Sequence, residues 1–300
     1  MANSLPQPFF LGGPTASGKS AVALALARRL GARIVNADAF QIYAGLPILT
    51  AQPSLEMLSQ APHELYGVAP VETPLDVASY WKVASPWLHH LSEPIIIVGG
   101  TGLYMRTLLR GGLDPLPPAD PELRRELEAT PLQDLTERLR QLDPVAHRQI
   151  DLFNPRRVVR ALEVCLLSGQ PVSLLRRWTS KPDAEKRGVW LQWDRSLLHE
   201  RIGRRSHAML ENGAIEEVAM TRQQASSTAR QAIGFRNIES LLDGELNQEE
   251  CRESIAQTTR RYAKRQETWF RKEAALSPLP FQPGDTVATV VEKVLTSFSS

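Results

Sequence analysis

Short apolar runs that end in glycine or polar residues alternate with helical patterns along the first hundred residues. These runs cover residues 9–11, 33–37 and 95–98. Residues 20–30, between the first two runs, are rich in Ala and Leu and are followed by Gly31, which is typical of a helix that stops at a glycine. Continuous β-branched runs separated by helices predict a parallel sheet buried on both faces. The fold class is therefore predicted to be α/β.

A proline-rich stretch, residues 113–121, separates this pattern from a mainly helical one. Helices are predicted over residues 122–129, 132–142 and 155–167. The chain then returns to a strand at 189–193, followed by long helical stretches at 197–222 and 248–272. We therefore predict a core made of residues 1–118 and 183–300, with residues 119–182 as a helical insertion domain.

Composition narrows the class of protein. No apolar run of the 300 residues approaches the roughly 20 that a membrane-spanning helix needs, so no membrane association is expected. Two cysteines, far apart in sequence, argue against a disulfide framework or a zinc site and favour a cytoplasmic protein. Residues 252–272 contain seven basic and two acidic residues. This excess fits either a polyanion partner or a solvated helix face.

A glycine-rich loop, called the glycine loop below, follows the first predicted strand and opens the first helix. It consists of Gly13, Pro14, Thr15, Ala16, Ser17, Gly18, Lys19 and Ser20, and it fits G-x-x-x-x-G-K-S/T. Backbone N–H groups of such a loop and the helix N-terminus bind phosphate oxygens, as in ATP-binding proteins. Lys19 is suited to the outer phosphate, and the Ser20 hydroxyl is suited to ligating Mg²⁺.

Two polar residues follow other strands of the predicted sheet. Asp38 comes after the second run, and Thr101 follows Gly99-Gly100 after the third. A nucleotide hydrolase usually carries a metal-binding Asp after such a later strand, and glycines stand there instead. Because ligands bind at the carboxyl ends of parallel strands, both residues are expected beside the glycine loop. Asp38 then suits a general base, although each residue alternatively fits a helix cap.

The chain resembles the bacterial tRNA dimethylallyltransferases, the IPP transferase family. The matching segments, in order along nearly the whole chain, are the glycine loop, 36–43 (NADAFQIY), 98–104 (VGGTGLY), 116–121 (LPPADP), 157–163 (RVVRALE), 232–236 (AIGFR) and 263–271 (AKRQETWFR). The resemblance implies a P-loop NTPase-like fold. It also implies transfer of a dimethylallyl group from dimethylallyl diphosphate to the N6 amine of the adenosine 3′-adjacent to the anticodon of tRNA.

The resemblance further implies roles for individual residues. Asp38 and Thr101 would be catalytic, with Asp38 orienting the amine and accepting its proton. The glycine loop and Arg222 would hold the diphosphate, with Mg²⁺ as cofactor at Ser20. The tRNA anticodon stem-loop would contact Asp38, Ala39, Phe40, Gln41, Thr101, Arg124, Arg156, Arg157, Arg160, Arg230, Gly234, Phe235, Arg236, Lys264, Arg265, Gln266, Trp269 and Arg271. Trp269 alternatively fits a buried position on an amphipathic helix. A monomer is expected.

Three other functions remain consistent with parts of the sequence. Some small-molecule kinases combine this loop with an Asp after the second strand. A prenyltransferase acting on free adenine nucleotides would share the core motifs. A non-catalytic RNA-binding module would explain the basic second half but leave the glycine loop, Asp38 and Thr101 without a use. The helical insertion and the Arg-rich segments favour a large RNA substrate.

Overall fold

The computed structural model describes residues 5–89, 92–176 and 185–298. The chain divides into two units: Met1–Gly112 with Pro182–Ser300, called the core unit below, and Leu113–Lys181, called the insertion unit. The insertion begins at Leu113 rather than at residue 119, since Leu116 packs against the apolar cluster of the insertion unit. Its predicted end at residue 182 lies outside the described residues.

A parallel sheet organises the core unit. Its strands in the described residues are β1 (Phe9–Gly12), β2 (Arg33–Asn36), β3 (His63–Glu64), β4 (Ile95–Gly99), β5 (Gly188–Trp193) and β6 (Leu276–Phe281). Their spatial order is β3-β2-β4-β1-β5-β6, and every pairing is parallel. The predicted α/β class is confirmed.

The helices follow in chain order. They are α1 (Lys19–Leu30), α2 (Pro47–Thr50), α3 (Leu55–Gln60), α4 (Val77–Ala84), α5 (Gly102–Arg110), α6 (Pro121–Ala129), α7 (Leu132–Leu142), α8 (Pro144–Gln149), α9 (Pro155–Ser168), α10 (Val172–Leu175), α11 (Arg195–Glu211), α12 (Ala214–Thr221), α13 (Phe235–Leu242), α14 (Gln248–Phe270) and α15 (Val287–Thr296). Short 3₁₀ helices form at Ser85–His89 and Ala229–Gln231. In the described part of the chain, no helix is long and apolar enough to cross a membrane.

Alternate residues of the central strand supply the two faces of the core. Ile95 and Ile97 of β4 belong to one buried cluster, with residues of α4, α5, α13 and α14. Ile96 and Val98 belong to the other, with residues of α1 and α15. Each fully buried side chain of this size stabilises the fold by about 1.5–3 kcal/mol. Burial on both faces explains why β4 reads as an uninterrupted apolar run.

The core unit differs from the sequence-based expectation at several elements, and two of these differences have a clear structural reason. The stretch 197–222 forms two helices, because Gly213, at φ 109°, ends one and begins the next in a left-handed conformation. Strand β6 was not predicted, because it contains Pro278 and Pro280, which normally argue against a strand. It tolerates both prolines since it lies at the edge of the sheet and pairs only with β5.

The insertion unit contains α6 to α10 around its own apolar cluster. Glu163 of α9 is fully buried at its centre and accepts hydrogen bonds from the backbone N–H of Asp120 (3.0 Å) and from Arg124 (2.6 Å). Burial raises the pKa of this carboxyl, but hydrogen bonds from Arg160 and Arg124 outweigh burial and hold the pKa below its usual value. The insertion unit thus combines an apolar cluster with a buried carboxylate that pairs with two arginines.

Candidate active site

The glycine loop connects β1 to α1 through backbone conformations that bend it into a cradle. Gly13 and Gly18 have φ of 152° and 85°, and Ala16 adopts 65°, a left-handed conformation uncommon for a residue with a side chain. A Cβ on Gly13 would lie 2.8 Å from the Ser17 hydroxyl, so no larger residue fits there. The loop therefore aims the N-terminus of α1 at its own centre, as anion-binding loops do.

Lys19 turns back into this loop. Its ammonium donates a hydrogen bond to the Pro14 carbonyl at 2.9 Å. Burial lowers the pKa of the amine to about 8, with the Asp38 carboxylate opposing this shift and Arg205 adding to it. Lys19, Asp38 and Arg205 therefore act electrostatically on one another within a single site.

Arg205 was not predicted from the sequence. It lies on α11 and donates a hydrogen bond to the Thr15 hydroxyl at 2.8 Å. Burial lowers its pKa, and Asp38 opposes that shift. One helical turn earlier, Arg201 donates to the Ala16 carbonyl at 2.8 Å. The sequence did contain one signal for this pair. Arg201 and Arg205 are four residues apart on a predicted helix, and this spacing places both cations on one face.

The Arg222 prediction is wrong. Its guanidinium is 2.6 Å from the Asp243 carboxylate, and its carbonyl accepts a hydrogen bond from Arg230. Within the described residues, no hydrogen bond or ion pair joins Arg222 to the glycine loop. Arg222 follows the end of α12, whereas Arg205, on the preceding helix, is the arginine that contacts the loop.

Asp38 and Thr101 are brought together by the register of the sheet. Gly12 of β1 lies opposite Gly99, and Asn36 of β2 lies opposite Val98, so the loops after the three strands adjoin. The Thr101 hydroxyl accepts a hydrogen bond from the Ala39 backbone N–H at 3.0 Å. Thr101 precedes α5 but makes no side-chain cap to it. Thr101 therefore occupies the N-cap position of α5, while its hydroxyl serves the Ala39 N–H instead of the helix.

The Asp38 carboxylate is held in a tight turn. Its Oδ1 accepts from the Phe40 N–H at 3.1 Å, and its own N–H donates to the Asn36 side chain at 2.8 Å. Burial raises the pKa of the Tyr262 hydroxyl and Asp38 raises it further, while hydrogen bonding with Thr101 and Gln266 lowers it. Asp38, Thr101 and Tyr262 thus form one polar cluster beside the loop.

Gln266 braces the glycine loop from α14. The side chain is buried, its Oε1 accepts from the Thr15 N–H at 2.8 Å, and its Nε2 donates to the Gly100 carbonyl at 2.9 Å. A Cβ on Gly100 would lie 2.3 Å from Nε2, which explains the glycine there. With both ends of the amide engaged, Gln266 holds two loops together, and its predicted contact with tRNA stays a prediction.

One pocket opens onto these groups. Its polar lining includes Thr15, Asp38, Arg205 and Tyr262. Its apolar lining consists of Phe40, Leu49, Ile202, Met209 and Ile233. Thr50, Ser206 and Thr259 complete the lining, so the pocket combines convergent polar groups with an apolar patch, as small-molecule sites do. Both cysteines are buried and free, and no group of three or more metal-ligating side chains occurs among the described residues.

Comparison with known proteins assigns the chain to a family. A model described as IPP transferase matches residues 41–273, and one described as isopentenyl transferase matches residues 7–64. The chain belongs to the IPP transferase family. The resemblance inferred from the sequence is therefore confirmed.

Individual relatives cover nearly the whole chain. A tRNA dimethylallyltransferase of Akkermansia muciniphila is 38% identical over 95% of this chain and 97% of its own. One from Geobacter sulfurreducens is 38% identical over 97% and 98%. The crystal structure of the full-length tRNA isopentenylpyrophosphate transferase from Bacillus halodurans is 31% identical, covers 97% of both chains and has a TM-score of 0.68. A eukaryotic dimethylallyltransferase acting on tRNA shares the fold, with a TM-score of 0.75 at 24% identity, over 92% of this chain and 74% of its own.

The residues of the insertion unit that were predicted to contact tRNA fall into two groups. Arg156 and Arg157, in the first turn of α9, are exposed. Arg124 and Arg160 instead pair with the buried Glu163, and Arg160 also donates to the Pro117 carbonyl at 2.7 Å. Arg124 and Arg160 therefore stabilise the insertion unit through Glu163.

The residues of the core unit that were predicted to contact tRNA also include both exposed and buried side chains. Arg236, Lys264, Arg265 and Arg271 are exposed. The side chain of Phe235 is fully buried, so its predicted contact with tRNA would have to use the backbone.

The remaining predicted contacts are engaged within the protein. Arg230 pairs with Glu239 and donates to the carbonyls of Arg222 and Ala225. Gly234 begins α13 with φ of 97°. Gln41 donates to the carbonyls of Thr50 and Ala51.

Trp269 is a packing residue. It is half-buried on α14, edge-on to Phe270, with the Arg106 guanidinium 5.4 Å from its ring centre. A Cβ on Gly102 would lie 2.5 Å from the indole, so the start of α5 fits closely against it. The interpretation of Trp269 as part of an amphipathic helix agrees with this packing better than a stacking platform for RNA does.

Proposed function

We propose that this chain transfers the dimethylallyl group of dimethylallyl diphosphate to the N6 amine of the adenosine 3′-adjacent to the anticodon of tRNA, releasing diphosphate. The observation that carries the proposal is the grouping of Lys19, Arg205 and Asp38 at the glycine loop. Two cations suit a departing diphosphate, and the carboxylate beside them suits an amine that loses a proton. Relatives that span the same length are named tRNA dimethylallyltransferases.

During the reaction, negative charge develops mainly on the leaving diphosphate. The bond between the allylic carbon and the diphosphate oxygen breaks, and its electron pair leaves with the diphosphate. A new bond forms between that carbon and N6, which then loses one proton. An aromatic amine is a weak nucleophile, so stabilising the developing diphosphate charge and aligning the two partners supply most of the rate. Lys19, Arg205 and the N–H groups of the glycine loop are the donors suited to this task.

Asp38 is suited to receive the proton. Its carboxylate is fixed by the Phe40 N–H, and the following residue is tied to Thr101, so the base does not have to be ordered when substrate binds. A general base must lie within hydrogen-bonding reach of the proton that it accepts. Asp38 and Thr15 of the loop line the same pocket, which supports a proton acceptor close to the leaving group.

The apolar wall of the pocket fits the five-carbon group. Leu49, Ile202 and Met209 present hydrocarbon beside the polar cluster. A dimethylallyl chain has no hydrogen-bonding group, so an apolar surface binds it without burying a polar group that lacks a hydrogen bond. The same surface excludes water, which would otherwise compete with the amine for the allylic carbon.

Magnesium fits the donor set of the loop. Mg²⁺ prefers oxygen ligands and usually takes only one or two from protein, the rest coming from phosphates and water. The Ser20 hydroxyl at the start of α1 is such an oxygen. When bound there, Mg²⁺ would neutralise charge on the diphosphate. Ser20 would hold the ion, and the loop N–H groups would keep the diphosphate in place.

One experiment distinguishes this function from the two alternative enzyme functions. The protein is incubated with dimethylallyl diphosphate, Mg²⁺ and unmodified tRNA, and the tRNA is then digested to nucleosides for mass analysis. The proposal predicts an adenosine that has gained one dimethylallyl group in place of one hydrogen. Consumption of ATP without a modified adenosine would instead indicate a kinase, and modification of free adenine nucleotides but not tRNA would indicate the small-substrate prenyltransferase.

A further inference from the structure

Two helices line the pocket beside the glycine loop. On α11, Arg205 contacts Thr15 of the loop, and Met209 lies about one turn further along the helix in the pocket wall. On α14, Gln266 contacts Thr15, and Thr259, seven residues before Gln266, lies in the pocket wall. Seven residues of an α-helix span about 10 Å. The pocket therefore extends away from the loop along both helices.

Leu49 lies at the far end of this pocket. It is buried and forms part of the pocket lining. A Cβ on Gly234 would lie 3.0 Å from Leu49 Cδ1 and 3.6 Å from Ile255 Cδ1, so these two side chains meet at the Gly234 backbone. Ile255 is one turn beyond Thr259 on α14, on the side away from the loop. Because Leu49 rests on this backbone, its side chain has no space into which it could move away from the pocket.

A buried carboxylate fixes the position of Leu49. Leu49 belongs to α2, which has only four residues, and a helix this short is not stable by itself. Glu217 of α12 accepts hydrogen bonds from the Ile48 N–H through Oε1 (2.7 Å) and from the Leu49 N–H through Oε2 (2.8 Å). N–H groups at the start of a helix have no partner within it. Glu217 is itself buried, and it therefore holds the backbone of Leu49 from outside the pocket.

We infer that Leu49 limits the allylic donor to five carbons and that Glu217 is the positioning residue that keeps Leu49 at the end of the pocket. The inference rests on the proposed function, which puts the diphosphate at the glycine loop and therefore directs its hydrocarbon along the pocket towards Leu49. A longer chain would press on Leu49, which Gly234 supports from behind. Because one methylene in an apolar pocket discriminates between ligands by about 10- to 200-fold, a small difference in length is sufficient for selection.

The test compares donor analogues of two lengths by calorimetric titration without tRNA. One is dimethylallyl thiolodiphosphate, in which sulfur replaces the bridging oxygen and slows cleavage. The other is its homologue in which one terminal methyl is extended to n-propyl. Wild-type protein is expected to bind the five-carbon analogue about tenfold or more tightly than the longer one. Leu49→Ala is expected to abolish this preference, because it removes three carbons from the end of the pocket.

Ile48→Ala provides the matched control. It also shortens an apolar side chain of α2 by three carbons, but Ile48 packs against Gly213 and does not line the pocket. It is expected to keep the wild-type preference. Leu49→Val removes one carbon and is expected to weaken the preference, which keeps the test available if Leu49→Ala does not fold. The inference is overturned if wild-type protein binds both analogues equally, if a folded Leu49 variant keeps the full preference, or if Ile48→Ala loses it.

Glu217→Ala and Glu217→Gln test the positioning role. Alanine leaves both N–H groups without an acceptor, so the preference for the shorter analogue should be lost. Glutamine keeps one acceptor oxygen, so a smaller loss is expected. Inorganic diphosphate has no hydrocarbon, and both variants should bind it like wild type. An equal loss of affinity for inorganic diphosphate and for the five-carbon analogue would indicate general damage to the fold and overturn the positioning role.

Transfer to tRNA, measured in parallel, distinguishes a failure of this inference from a failure of the proposed function. Wild-type protein that prefers the five-carbon analogue but yields no modified adenosine overturns the proposed function and leaves Leu49 as the residue that limits chain length. Wild-type protein that modifies tRNA but binds both analogues equally overturns the inference alone.

Discussion

The Thr101 hydroxyl accepts a hydrogen bond from the backbone N–H of Ala39 at 3.0 Å. This contact joins the loop after β4 to the turn that holds Asp38, which follows β2. Because the two strands are neighbours, with Asn36 opposite Val98, a single side chain spans the distance between the loops. Thr101 therefore acts on Asp38 through the backbone of the following residue.

Thr101→Val is expected to slow transfer. Valine keeps the shape of threonine but leaves the Ala39 N–H without its acceptor, and an unsatisfied polar group of this kind costs about 1–3 kcal/mol. We expect a single-turnover rate constant lower by roughly tenfold or more, with Thr101→Ser close to wild type. Thr107→Val, within the helix α5 that follows Thr101, is the control, since that hydroxyl donates only to the Leu103 carbonyl. Equal rates for Thr101→Val and wild type would contradict this role.

Arg205→Gln is expected to weaken donor binding. The change removes one of the three cations that contact the glycine loop, while Lys19 and Arg201 remain. A charge-assisted contact of this kind is worth about 1.5–3 kcal/mol, so KM for dimethylallyl diphosphate should rise by roughly tenfold or more. Arg222→Gln is the matched control, because that arginine pairs with Asp243. An effect of Arg222→Gln as large as that of Arg205→Gln would contradict the assignment.

The lowered pKa of Lys19 predicts a pH dependence of diphosphate binding. In the free protein the amine loses its proton as the pH rises through about 8, so affinity for diphosphate should fall above that pH. A bound diphosphate favours the charged amine and moves the transition to higher pH. Calorimetric titration with diphosphate over a pH series measures the effect. In Lys19→Arg the guanidinium stays charged, so any pH dependence of affinity that remains in this variant comes from the diphosphate itself. Identical pH profiles of wild type and Lys19→Arg would contradict the prediction.

Gln266→Ala is expected to disorder the glycine loop. The substitution removes an acceptor from the Thr15 N–H and a donor from the Gly100 carbonyl, both at a buried site. Loss of both should lower the free energy of unfolding by about 2–4 kcal/mol and raise KM for the donor. Gln257→Ala is the control, because Gln257 lies exposed on the same helix. If Gln266→Ala has the same thermal unfolding and the same KM for the donor as Gln257→Ala, the proposed role of Gln266 in holding the glycine loop is contradicted.

The parts of the site that local sequence determines could be predicted. The glycine loop has fixed spacing, follows an apolar strand and opens a helix, and each of these signals lies within about twenty residues of the others. The convergence of Asp38 and Thr101 followed from the general rule that parallel strands end at one edge of a sheet. These predictions needed no knowledge of which side chains touch.

The parts that depend on tertiary contacts could not be predicted. Arg205 is one of many arginines on helical segments, and only the packing of α11 places it on Thr15. The choice of Arg222 failed for the same reason, since no local pattern distinguishes an arginine paired with Asp243 from one that faces the loop. Strand β6 was missed because Pro278 and Pro280 are permitted only by its edge position.

Asp38→Ala tests the central claim most directly, through the single-turnover rate constant for modified adenosine with tRNA and dimethylallyl diphosphate both bound. Proton transfer by a positioned side chain contributes about 10²- to 10⁴-fold, so the rate constant is predicted to fall by at least about a hundredfold. Affinity for tRNA, measured with the same preparation, is predicted to stay within a few-fold of wild type. A wild-type rate constant in Asp38→Ala would contradict the assignment of Asp38 as the proton acceptor.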